Sequence, residues 1–351
     1  MNFKKPSYTF NPSRRLSRRV FLVTSSLATF GTIVGCAQTR QPAPDPSQSE
    51  SSPSLSPNQS KKVRIGYQKF NTLNILKSRG SLEKALEPSG ITVEWNEFAA
   101  GPQLLEALNV GSIDFGHAAD TPPIVAQSAG TPLVYVAQEP PYPKGLAVVV
   151  RKDAPIQTVK DLQGKKIAIG KGWNVFNLLL AALEKEGLSL ENIEPVFVST
   201  AADAQSAFEQ GSVDVFGIWD PFYAVVERKL QVRPLIDGTG IVNNPTFYLA
   251  SRSFAEQQPD LIKIVLQEVQ KIDDWANTNP REVAEFLAPQ LKVEVGDLER
   301  ATKRREYGVN PITARTIADQ QEIADRFFRL KLIPKQISVQ EAVVGTNFVP
   351  G

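Results

Sequence analysis

The sequence predicts an α/β fold of two lobes with like topology, largely parallel sheets and a cleft between the lobes. Three observations predict it. From Val63 onward, short β-branched runs alternate with segments of helical periodicity. One unit recurs 100 residues later: Ala107–Asp114 is echoed by Ala207–Asp214. In each copy a helix ends at Gly and an Asp opens the next strand. Several helices begin directly after strands, which sets their unpaired N–H groups at one end of each sheet.

Ahead of this body lies a segment of a different kind. Residues 1–35 carry Lys4, Lys5, Arg14, Arg15, Arg18 and Arg19, no acid, and an apolar run from Val20 to Val34. A bilayer span takes ~20 apolar residues, so this shorter run reads as an export signal. Arg18-Arg19 with Val20-Phe21-Leu22 resembles the twin-arginine export motif. Ile33-Val34-Gly35-Cys36 resembles a bacterial lipobox, in which Cys36 is lipidated and becomes the first residue. Two acyl chains there would hold the protein to a membrane. Residues 36–60 then form a tether, since 37–60 hold five Pro and seven Ser and too few large apolar groups to fold.

In the body, strands are expected at Val63–Tyr67, Ile91–Glu97, Leu146–Arg151, Lys166–Ile169, Pro195–Val198 and Val213–Ile218. Helices are expected at Leu73–Leu86, Gln103–Val110, Leu178–Glu186 and Ala202–Gln210. The C-terminal part is mainly helical, with Leu261, Val265, Val269, Ile272 and Trp275 on one face. Pro102, Pro122 and Pro221 suit first helical turns, where no N–H is needed. Helix starts near Asn71–Leu73, Gly101–Gln103, Asp120–Pro122 and Trp173–Asn177 would together hold an anion without any arginine.

Composition excludes other classes. One Cys permits no internal disulfide and no Cys-based zinc site, and one His permits no His cluster. A formal charge of +2 argues against nucleic acid as a partner. Loss of the six basic residues before Cys36 leaves 33 basic residues against 37 acidic ones. The mature body is therefore slightly acidic, and an anion site would rest on aimed N–H groups and amides.

The body resembles the aliphatic sulfonate-binding proteins of bacterial ABC importers. The matching stretches are Gly66–Lys69, Phe98–Asp114, Asp120 with Pro122-Pro123, Glu139–Pro141, Ile218–Pro221 and Phe247–Ala250. The resemblance runs from about Val63 to about Pro334. It implies a two-lobed, type II periplasmic-binding-protein fold with a discontinuous first lobe. The first lobe would take residues 61–148 and 249–351, and the second 149–248, with crossings near Val149 and Tyr248. The loop Gly172–Asn177, Ala119 and Asn71 depart from the small and hydroxyl residues usual in that family.

The resemblance also implies a site. Gln68, Asn71 and Thr72 would line it, with Gly101 and Gln103 from the next helix start and Asp120 and Thr121 from the third. Trp173, Asn174, Phe176 and Asn177 would come from the second lobe, with Trp219, Asp220 and Tyr248. A sulfonate is always an anion and only accepts hydrogen bonds, so the amides of Gln68, Gln103, Asn174 and Asn177 suit it as donors. Trp173 and Trp219 are candidates to pack on the ligand's organic tail. Asp120 and Asp220 read more naturally as helix caps than as ligand contacts, since a carboxylate repels an anion. His117 reads as a packed residue, and Lys160–Lys166 and Lys303–Arg305 as solvated faces.

The function implied is a lipid-anchored, monomeric, extracytoplasmic receptor. It would use no cofactor or metal, catalyse nothing, and hand an organic anion to a permease driven by a separate ATPase. Taurine, nitrate or a thiamine-pyrimidine precursor are alternative ligands. A tethered sensor, or an enzyme on this scaffold, is the alternative outside the class.

Overall fold

The computed structural model describes residues 62–345 and 347–350. Arg18, Arg19, Cys36 and the 36–60 tether lie outside the described residues. The first elements are β1 (Lys62–Tyr67), α1 (Thr72–Arg79), α2 (Ser81–Leu86), β2 (Thr92–Glu97), α3 (Gly101–Asn109), β3 (Phe115–Ala119), α4 (Thr121–Ala129) and β4 (Leu133–Gln138). Next come β5 (Leu146–Arg151), β6 (Lys166–Ile169), α5 (Asn174–Lys185), β7 (Glu194–Phe197), α6 (Ala201–Glu209), β8 (Val215–Trp219), α7 (Phe222–Lys229) and β9 (Val232–Asp237). The chain closes with β10 (Thr246–Ser251), α8 (Arg252–Gln257), α9 (Pro259–Thr278), α10 (Pro280–Leu291), α11 (Val295–Thr302) and α12 (Ala314–Arg329).

Two five-stranded sheets result, in the orders β2-β1-β3-β10-β4 and β7-β6-β8-β5-β9. In each, the strand fourth in order runs antiparallel to its neighbours. Those strands, β10 and β5, are the ones by which the chain returns to one sheet or enters the other. The passages lie in 139–145 and 238–245, so β5 sits wholly in the second sheet and β10 wholly in the first. They fall a few residues before the expected crossings at Val149 and Tyr248.

The internal echo is a structural repeat. α3 and α6 end alike, and Gly111 and Gly211 both take left-handed φ, at 69° and 72°. Ser112 N–H donates to Ala107 O and Ser212 N–H to Ala207 O. The Asp114 carboxylate accepts from Arg64 N–H and the Asp214 carboxylate from Lys166 N–H, each at 2.9 Å. Each Asp thereby ties the start of one parallel strand to the next.

Several boundaries shift by one or two residues from the sequence expectation, and three departures have a clear local reason. The single helix expected over Leu73–Leu86 is two, because Gly80 turns left-handed and its N–H closes on Leu76 O and Lys77 O. α5 begins at Asn174, so most of the expected 172–177 loop is its first turn. Pro221 stands at the N-cap of α7 and not within its first turn.

The first sheet packs against α1, α2 and α8–α11, with Leu261, Val265, Val269 and Ile272 of α9 buried in that core. The second sheet's core takes in α5, α6 and α7, and Ile323 and Phe327 of α12 join it. α12 lies against α4 of the first lobe and ties to α5 of the second through Arg326, which reaches Glu184 at 2.9 Å and Asn177 Oδ1 at 2.9 Å.

Candidate functional site

The carboxyl ends of β1, β3, β6 and β8 face one cleft, and a cavity of about 90 Å3 lies there between the lobes. Of the residues expected at the site, Gln68, Asn71, Gly101, Trp173, Asn174, Trp219 and Asp220 line it. The first three come from the first lobe and the rest from the second. Ala100 and Trp173, the N-caps of α3 and α5, make no side-chain cap bond. Two helix starts therefore present first-turn N–H groups to the cavity.

Thr72, Gln103, Asp120, Thr121, Phe176, Asn177 and Tyr248 do not line this cavity. Thr72 and Tyr248 lie one layer deeper. Thr72 Oγ1 donates to Asp273 at 2.7 Å, and Tyr248 OH donates to Glu139 at 2.8 Å. Gln103 is exposed and its amide reaches Ser199 O at 3.4 Å. Phe176 stacks edge-on with Phe197 and Phe327, because the early start of α5 turns it into the core. β3 ends at Ala119, and Asp120 already has helical backbone angles, φ −58° and ψ −43°, so the chain turns at that residue. Ala119 meets the cleft and Asp120 the far side.

The lining the sequence reading missed centres on Arg305. Lys303–Arg305 were expected on a solvated face; the structure bears this out for Lys303 and reverses it for Arg304, which pairs with the buried Asp220, and most fully for Arg305. Its side chain is 4% exposed and pairs with Glu139, itself 3% exposed. The guanidinium lies 4.4 Å from the Tyr307 ring centroid and 5.4 Å from that of Tyr142. One Nη donates to Phe70 O at 3.3 Å. Nε is buried and has no hydrogen-bond partner, although Arg305 borders the cavity. A buried donor without an acceptor is costly, so this is the atom an incoming acceptor would relieve.

His117 is packed, as expected, and also borders the cavity. Gln68 N–H donates to its Nε2 at 3.1 Å, and the Gln68 amide donates to His117 O at 3.1 Å. Its Nδ1 lies 2.9 Å from the Asn71 amide. Burial, and then the Arg305 charge, push the imidazole down to about 3, so it stays neutral and its Nε2 is free to accept from Gln68 N–H. Asp220 was expected as the helix cap; Pro221 holds the N-cap position instead, and Asp220 one residue earlier accepts from the first-turn Ala224 N–H at 3.1 Å. It also takes Arg304 at 3.0 Å and Tyr142 OH at 2.6 Å. Trp173 and Trp219 form one wall, with ring centroids 4.8 Å apart at 74°. The Trp173 ring lies over Gly170, where a Cβ would come within 2.0 Å of it. Among the described residues, no group of three or more His, Cys, Asp or Glu could hold a metal ion.

A second cavity, of about 560 Å3, lies behind the crossover segments. Tyr142 and Thr246 face the inter-lobe cavity, whereas Pro141, Pro143, Pro245 and Phe247 face this one. Asp120, Asn177, Gln320 and Arg326 line it and are all buried. Asp120 takes the Thr121 hydroxyl at 2.8 Å and makes no cap bond, so its expected capping role is not realised.

Burial raises the Asp120 carboxyl to about 7, against lowering by Thr121, Arg326 and Asn177. A raised acid contributes stability below its unfolded value near 4 and loses it as pH rises to about 7. The depressed His117 has the opposite sign: its contribution is lost as pH falls from about 6.5 toward 3. Asp120→Asn removes the first effect and leaves the second. The variant should gain melting temperature over wild type at pH 8 and lose that gain at pH 4. A difference in melting temperature that is constant with pH would contradict this.

A family model described as NMT1/THI5 like matches residues 86–283. The chain is 41% identical over 283 residues to an Escherichia coli (strain K12) protein named for binding aliphatic sulfonates, a match covering 80% of this chain and 88% of that one. It is 33% identical over 290 residues to a like-named protein of Bacillus subtilis (strain 168), covering 82% and 87%. The solved alkanesulfonate-binding protein SsuA from Xanthomonas axonopodis pv. citri, bound to MOPS, aligns with TM-score 0.76 and 38% identity over 82% of this chain and 99% of that one.

Proposed function

The chain belongs to the NMT1/THI5-like family and to the aliphatic sulfonate-binding proteins, and from that premise we propose that it is a receptor for organic sulfonates. The ligand lies in the inter-lobe cleft. The observation that carries this reading is the buried, unpartnered Nε of Arg305 at the cavity wall. A sulfonate supplies what that donor lacks and remains an anion at every physiological pH. Its other oxygens suit the starts of α3 and α5 and the amides of Gln68 and Asn174.

The surrounding charges are already balanced. Glu139 answers Arg305, Arg304 answers Asp220, and burial holds the Asp273 carboxyl well above its ordinary value. The site therefore favours a monoanion of fixed charge over a dianion. Hydrogen bonds to a charged group are worth ~1.5–3 kcal/mol each, and a micromolar ligand needs ~8 kcal/mol. Four to six such bonds total ~6–18 kcal/mol, and the upper part of that range leaves a remainder to offset closure and ligand ordering.

The receptor performs no chemistry. It works outside the cytoplasm as a monomer, held by lipid on Cys36, and passes its ligand to a permease with a separate ATPase. Arg18-Arg19 and the Gly35-Cys36 junction support the export and the anchor. Calorimetry of the purified protein with methanesulfonate, taurine, nitrate and sulfate tests the ligand class. Methanesulfonate should bind with sulfate absent from the response; sulfate binding with methanesulfonate silent would sink the reading. In cell fractionation, Cys36→Ser should leave the membrane, and its retention there would defeat the anchor.

A further inference from the structure

The headgroup cavity of about 90 Å3 is too small for a bulky organic tail, and a larger space of about 330 Å3 adjoins it. The two share Gln68, Lys69 and Trp219 in their linings. Resting on the sulfonate reading above, we propose that this side channel takes the ligand's tail and admits an aromatic ring. The ligand class then extends from aliphatic sulfonates to aryl sulfonates whose ring carries no further charge.

The walls come from both lobes. Phe98 and Ala99 precede α3, Ala201 and Ala202 open α6, and Phe222 opens α7. Aromatic surface faces small side chains, which leaves a space both apolar and wide. Trp219 stands between the two spaces, in edge contact with Trp173 on one side and with Phe222 at 5.9 Å and 88° on the other. A ligand ring here would extend that edge-to-face series, which adds attraction beyond area burial. A rigid ring also loses no rotamer freedom on binding, whereas an alkyl chain does.

Charge at the mouth points the same way. Lys69 lies 3.8 Å from Glu97, whose other oxygen accepts from Tyr67 OH at 3.1 Å. The two side chains answer each other, so the channel asks for no net charge on the tail.

Hexanesulfonate and benzenesulfonate carry six carbons each and differ in shape, while methanesulfonate carries only the headgroup. Calorimetry on the wild type should find both six-carbon ligands at least 10-fold tighter than methanesulfonate, with benzenesulfonate about 3-fold or more ahead of hexanesulfonate. Ala202→Trp fills the channel from an exposed helix position that the headgroup cavity does not include. It should weaken both six-carbon ligands at least 10-fold, with methanesulfonate within about 2-fold and the melting temperature unchanged. Ala202→Leu is the milder variant should the Trp protein misfold, and it should weaken benzenesulfonate in the same direction. Failure of all three ligands on wild type overturns the sulfonate reading itself. Equal losses for all three in the variants, or none, overturn the channel. Tight hexanesulfonate with no benzenesulfonate binding overturns the aromatic claim alone.

Discussion

Arg305→Met should lower sulfonate affinity at least 100-fold and destabilise the fold by roughly 3–5 kcal/mol. Removing one partner of a buried pair leaves the other charge uncompensated, which costs about that much. Here the stranded group is Glu139, 3% exposed. The loss of affinity has a separate origin, the Nε donor at the cavity wall. A second substitution separates the two. Glu139→Gln keeps an acceptor for Tyr248 OH, which now donates to Glu139 at 2.8 Å, while removing the stranded charge. The double variant Arg305→Met with Glu139→Gln should therefore recover most of the stability in denaturant unfolding and none of the affinity in calorimetry. If it recovers both, Arg305 serves the fold only.

Much of the fold could be read from the chain because it is set locally. β5 and β6 match their predicted spans, and the Gly-Ser-x-Asp echo marks a turn that each lobe builds with its own short-range hydrogen bonds. The cleft was legible for the same reason: strand ends followed by helix starts are local features. Its exact lining was less so. Asp120 was misplaced because the chain turns helical at that residue, and Phe176 and Asn177 by a helix that begins a turn early. Arg305 was invisible for another reason. Its partner Glu139 lies 166 positions away, and the run Lys303–Arg305 has the look of any solvated cationic stretch. The packing after α11 turns Arg305 inward against Tyr142 and Tyr307, and Arg304 toward Asp220, while Lys303 stays at the surface with Glu299.

Arg304→Met should weaken sulfonate binding about 10- to 100-fold at pH 8 and distinctly less at pH 5. Arg304 follows α11 on the first lobe, and its guanidinium takes Asp220 at 3.0 Å and Glu227, both of the second lobe. These bonds join the two lobes, so they would favour closure, and a ligand that binds the closed state would gain from them. Without Arg304, closing the lobes would bury the Asp220 carboxylate with Tyr142 OH and Ala224 N–H as its remaining partners. The carboxyl has an escape. Burial already raises it to about 6, with Arg304 the largest opposing influence. Loss of Arg304 raises it further, so at pH 5 the group closes protonated and the charge penalty falls away, whereas at pH 8 closure must drive protonation or bury the charge. The ligand does not titrate in this range, and His117, held near 3, does not either. Asp120 does, but it is common to both proteins and cancels in the ratio of variant to wild type. Dissociation constants measured at the two pH values decide the matter: a ratio unchanged between pH 5 and pH 8 would remove Asp220 from the closing equilibrium.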